Sequence, residues 1–104
     1  MAETADRDED ERWIVVDGRR WRRTDPSLPA ELATSLRSHL GRARNAVKAG
    51  RRSGDEDAVA AARERVGIAK HGLGERGPRW WERPEAERLA DASAALTRLD
   101  ELAP

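Results

Sequence analysis

The chain of 104 residues has no cysteine, no phenylalanine and no tyrosine, and its only aromatics are four tryptophans. Without cysteine there is no disulfide framework, no thiolate metal site and no thiol nucleophile. Large aliphatics are also scarce. Sixteen Leu, Ile and Val stand against eighteen Ala, below the fifth of the chain at which disorder becomes a concern. No apolar run approaches the length of a membrane span. Residues 1–12 are acidic, unlike a secretory signal peptide, so cytoplasm is the expected location. What is present is charge: twenty basic and twenty acidic side chains, which cancel. The scarce large apolar residues fall at periodic spacings, and a thin helical core sealed by tryptophans is the expectation.

The cancellation hides a division. Residues 1–12 hold six acids and two bases, residues 13–52 hold ten bases and three acids, and residues 80–104 hold six acids and three bases. A basic block therefore lies between two acidic ends. Such a block attracts phosphates, although an adjacent acidic tail can shield it.

The tryptophans and arginines concentrate in Trp13 to Arg23, W-I-V-V-D-G-R-R-W-R-R. Two strand-like runs flank Asp17-Gly18, a preferred pair for a two-residue type I′ turn because both positions need positive φ. The turn sets the register: Ile14 faces Trp21 and Trp13 faces Arg22. Side chains alternate between faces, so Ile14, Val16 and Trp21 share one face, expected to turn inward. Trp13, Val15, Arg20 and Arg22 share the other, where Trp13 is placed to stack with Arg22. An isolated two-stranded hairpin is marginal in water and needs helices or a second chain to dock on.

After the hairpin, Asp25-Pro26-Ser27-Leu28-Pro29 breaks regular structure, with Asp25 or Ser27 as helix cap. Leu32, Leu36, Leu40, Ala43 and Val47 form one apolar stripe of a helix to about Ala49, in which Gly41 marks a close backbone approach. Residues 50–54 read as a loop in which Ser53 and Glu56 form a capping box. Val59, Ala62, Val66, Ala69 and Leu73 form the next stripe, ending in Gly72 and Gly74. The short loop between similar stripes predicts an antiparallel helical hairpin. Trp80-Trp81 then follow a turn, one expected to cap the helix pair and the other to be exposed for a partner. From Pro84, Leu89, Ala92, Leu96, Leu99 and Ala103 define a last helix that packs on its own domain or zips with a copy of itself.

These pieces resemble a family of small bacterial proteins of uncharacterised activity. Its members read W-I-V-x-x-G-R-R-W-R, then an acidic-proline turn and an Ala/Arg-rich helical hairpin, then G-E-R-G-x-x-W-W. Some members carry the label "biopolymer transporter Tol". The likeness spans residues 13–82, through Trp13 to Arg22, Asp25-Pro26, Gly74 to Gly77 and Trp80-Trp81. It implies one compact unit there and supplies no mechanism; the acidic tail and the helix from Pro84 depart from the shorter members.

The fold expected is α+β: an acidic disordered tail at 1–11, a β-hairpin on an antiparallel α-helical hairpin at 12–82, and a C-terminal helix at 83–104. Two functions compete. One is a non-enzymatic protein-interaction or self-association module, an unidentified protein or a second copy being the partner, with Trp80, Trp81 and Leu96 as contacts. The alternative is a nucleic-acid-binding accessory protein that uses Trp13, Arg19, Arg20, Arg22 and Arg23, where arginines meet phosphates and indoles stack on bases. Arg37, Arg42, Arg44, Lys48, Arg51 and Arg52 extend that basic patch, although a sequence pI near 6.8 is low for a dedicated binder. His39 and His71 lie on the order of 9 Å apart along the paired helices, too far to share a metal. With no glycine-rich phosphate loop and no base beside a nucleophile, no catalytic residue, cofactor or metal is expected.

Overall fold

The computed structural model describes residues 11–104. Residues 1–10 lie outside it, and with them nearly all of the expected acidic tail. Strands β1 (Trp13–Val16) and β2 (Arg19–Arg22) form an antiparallel pair. Three helices follow: α1 (Ala30–Ser53), α2 (Glu56–Gly72) and α3 (Glu85–Leu102), with a 3₁₀ turn at Trp80–Glu82 before the last. The architecture is the α+β arrangement of a hairpin followed by packed helices. No described helix is long and apolar enough to cross a membrane.

The hairpin closes as its turn residues require. Asp17 has φ 52° and Gly18 φ 78°, and the pairs run Trp13–Arg22, Ile14–Trp21, Val15–Arg20 and Val16–Arg19. The helical pair turns more sharply than expected. α1 continues through Gly50 to Ser53, and only Gly54 and Asp55 link it to α2. Gly50 is buried, and a Cβ there would come within 2.8 Å of the Val59 side chain, so helix packs on helix where a loop was expected. The α2 cap is Asp55, which accepts from the Ala58 N–H, while the Ser53 hydroxyl folds back to the Gly50 carbonyl. Gly41 is exposed with nothing near its missing Cβ, so the close approach expected there is made by Gly50 and Gly72 instead.

The core is Leu28, Ala33, Leu36, Leu40, Ala69, Leu73, Ala92, Ala95 and Leu99, with Leu96 half-buried against it. Leu36, Leu73 and Leu99 are fully buried, each contributing roughly 1.5–3 kcal/mol of apolar burial. A Cβ at Gly72 would meet Ala95 Cβ at 2.8 Å and both Leu36 methyls at 3.3 Å, which shows how closely α3 seats on the pair. The last helix thus packs on its own domain. His39 is buried between α1 and α3: its Nε2 lies 2.7 Å from Asp100 Oδ1, and Arg42 lies 3.0 Å from its Nδ1. α3 ends beside Arg42, which donates to the Ala103 carbonyl. Past that point the helical pair projects as an arm with its own narrow seam of Ala43, Gly50 and Ala62.

Asp25 is buried rather than serving as the α1 cap. It accepts from the Ser27 N–H, the Ser27 hydroxyl and Arg88 Nη1, and its own N–H donates to the Leu73 carbonyl. α1 begins after Pro29 with no side-chain cap.

Candidate functional site

The hairpin does not dock as its apolar pattern predicts. Val16 is 49% and Trp21 37% exposed, whereas Trp13, on the opposite face, is half-buried against Trp81. What decides the matter is the connector between α2 and α3. Trp13 and Trp81 meet edge to face at 5.7 Å, and Trp81 and Trp80 at 5.2 Å. Arginines flank the row: Arg20 lies 4.1 Å over Trp13, Arg12 5.2 Å over Trp81, and Arg88 5.7 Å over Trp80. Trp80 donates its indole N–H to the Arg23 carbonyl, and Thr24 donates to Glu75. Three of the four tryptophans therefore form a clasp that fixes the hairpin to the helices, and neither Trp80 nor Trp81 is left standing in solvent.

The candidate residues divide along this line. The stacking expected between Trp13 and Arg22 is made by Arg20 instead. Arg22 reaches the other way and donates to the carbonyls of Gly77 at 2.7 Å and Pro78 at 3.1 Å. Arg23 Nε donates to the Trp13 carbonyl. Only Arg19 stays with Trp21, its guanidinium 4.7 Å from the ring centroid.

Trp21 forms one wall of a groove of about 350 Å³ between the hairpin and the helices, with Ile14, Val16 and Arg22 beside it and Arg44, Lys70 and Glu75 opposite. Through Arg44 it continues into a second hollow of about 330 Å³ along the arm, lined by Lys48, Arg51 and Arg63. Arg44, Lys48 and Arg51 follow one another at spacings of four and three, so one face of α1 presents them together. The only carboxylate lining either hollow, Glu75, already accepts from Thr24.

Lys70 is the unusual member. It is 8% exposed, rests 4.8 Å over the Trp21 ring, and makes no ion pair among the described residues. Desolvation, then the charges of Arg44 and Arg76, push its pKa below the ordinary 10.5, against a smaller upward pull from Glu75. Lysine is rarely buried without a partner, because a desolvated ammonium is costly. Sequence reasoning missed Lys70 and Arg63, since both sit inside an Ala/Arg-rich helix where nothing local distinguishes them. Arg44, Lys48 and Arg51 are among the six bases that the sequence places in an extended basic patch.

Because the unfolded chain holds the Lys70 proton more tightly, it binds more protons than the folded chain between the lowered pKa and 10.5. Stability therefore rises with pH across that window. Lys70→Met is expected to raise stability at neutral pH and to flatten the rise, as read by urea unfolding between neutral and alkaline pH. A variant less stable than wild type at pH 7 would show that the ammonium is well accommodated.

Comparison with protein-family models, curated proteins and solved structures finds no match to this chain.

Proposed function

We propose that the chain is a non-enzymatic interaction module that engages a polyanionic partner along the basic groove. The observation that carries this reading is the groove wall of Arg44 and Lys70, where Lys70 makes no ion pair among the described residues and the one carboxylate, Glu75, already accepts from Thr24. Like charges held together on one wall contribute nothing to stability, and an incoming anion offsets their repulsion. The Arg44, Lys48 and Arg51 stripe extends the same field along the arm. The test is retention on immobilised heparin as salt is raised. Wild type is expected to elute well above the salt that releases Arg44→Gln/Lys48→Gln/Arg51→Gln. Equal elution of the two, or no retention at low salt, overturns the reading.

A second reading, self-association, is favoured by one observation. Val15 is 68% exposed on a ribbon to which no third strand is added within the described residues. The edges of such a ribbon accept a further strand. A sedimentation mass rising with concentration toward twice 11.6 kDa, and returned to the single-chain value by Val15→Lys, supports it. A constant monomer mass rules it out.

A further inference from the structure

We propose that the polyanion is single-stranded nucleic acid, with the Lys70–Arg44 end of the groove seating a phosphate and Trp21 stacking an unpaired base. The proposal rests on the polyanion reading above and adds what the groove demands of its ligand. Cations alone fit any anion, but this groove has an apolar side as well. Ile14, Val16 and the Trp21 ring form one wall with Arg22 at its edge, and Arg44 and Lys70 form the other beside Glu75, a carboxylate already held by Thr24. A ligand that covers both walls carries negative charge along one edge and flat apolar surface along the other, as an unpaired nucleotide strand does. An acidic peptide satisfies the cations and leaves the indole bare. A duplex keeps its bases stacked on one another, out of reach of a ring at the side of a groove.

The indole is also prepared for such a ligand. It is held in place by its strand and by Lys70, yet 37% of Trp21 is exposed, whereas the other three tryptophans are tied into the clasp. The Arg19 guanidinium, a planar cation on an exposed side chain, rests against the Trp21 ring. A base takes that place when Arg19 swings to a phosphate, exchanging one stacking partner for another. The hollow of about 350 Å³ is of the size that holds a small ligand, and the arm continues the phosphate track toward Arg51.

The experiment uses the full chain and a fluorescein-labelled thymidine dodecamer read by anisotropy. Competitors are unlabelled duplex of the same length, inorganic polyphosphate and poly-glutamate, matched by charge. Wild type is expected to bind the single strand, with affinity falling steeply between about 50 and 200 mM salt. Trp21→Ala, checked for fold by circular dichroism, is expected to lose roughly 5- to 100-fold for the single strand while its affinity for polyphosphate stays unchanged. Trp21→Phe should recover most of the loss, and Lys70→Gln should weaken both ligands. If Trp21→Ala binds the dodecamer as wild type does, or if duplex or poly-glutamate competes as well as the single strand, this proposal falls and the polyanion reading stands. If neither polyphosphate nor the dodecamer binds at low salt, both fall.

Discussion

Arg88→Ala is expected to cost about 3–5 kcal/mol of folding stability, more than a surface ion pair could account for. Asp25 is only 3% exposed and Arg88 Nη1 lies 2.9 Å from its Oδ1. Asp25 stands where three elements meet: the turn before α1, the end of α2 through the Leu73 carbonyl, and the start of α3 through Arg88. With the guanidinium gone, the carboxylate keeps only the Ser27 N–H and hydroxyl and stays buried with its charge uncompensated. The alternative to that penalty is an opening of the junction, which weakens the fold. Replacing both partners, as in Asp25→Asn/Arg88→Met, should recover much of the loss because no lone charge remains. Urea unfolding of the two single variants and the double closes the cycle. A loss under about 1 kcal/mol in Arg88→Ala would mean that water reaches the carboxylate and the pair behaves as a surface one.

Trp81→Ala is expected to cost about 3 kcal/mol, toward the low end for a buried tryptophan because this one is half-buried. The distinctive consequence is where the loss falls. Trp81 is the middle ring of the clasp, touching Trp13 on the hairpin and Trp80 beside α3, with Arg12 and Arg79 at its faces. Without it the hairpin keeps its Arg22 and Trp80 hydrogen bonds but loses the aromatic contact that covers Trp13. Amide hydrogen exchange should then show β1 and β2 opening at a lower free energy while α1 and α2 keep their protection. Wild-type protection in the strands would place the anchoring of the hairpin elsewhere. Since Trp21 rides on β2, a loosened hairpin also removes one wall of the groove.

The local elements were readable from sequence because their signals are local. Asp17-Gly18 forces the turn and hence the register, and the three-and-four spacings of Leu and Ala mark the helical faces. Three things were not readable, each for a physical reason. Which face of a two-stranded ribbon is covered depends on what meets it, and here that is Trp80-Trp81, more than sixty residues along the chain. Their docking covers Trp13 and leaves the face of Ile14, Val16 and Trp21 looking onto a groove instead of packed into the core. His39 lies three residues from Leu36 and four from Ala43, within the buried stripe, but its partner Asp100 comes from a helix whose placement no spacing reveals. Lys70 looks like any solvated lysine until the fold sets Arg44, Arg76 and Trp21 around it. The candidate site moved accordingly. Arg20 and Arg23 contact Trp13 in the clasp, Arg22 holds the Gly77 and Pro78 carbonyls while lining the groove, and Arg19 rests on the Trp21 ring.

The arm beyond Arg42 has a consequence for how the chain can vary. Its seam of Ala43, Gly50 and Ala62 shares no residue with the Leu-rich centre, and its tip is closed by just Gly54 and Asp55. Adding or removing one turn from both helices would change its reach by roughly 5.4 Å and lengthen or shorten the basic stripe it carries. The clasp, the Asp25 junction and the His39 contact would be untouched. Reach and foldability are thus written in separate parts of the sequence, so natural selection or an engineer could retune one while leaving the other alone.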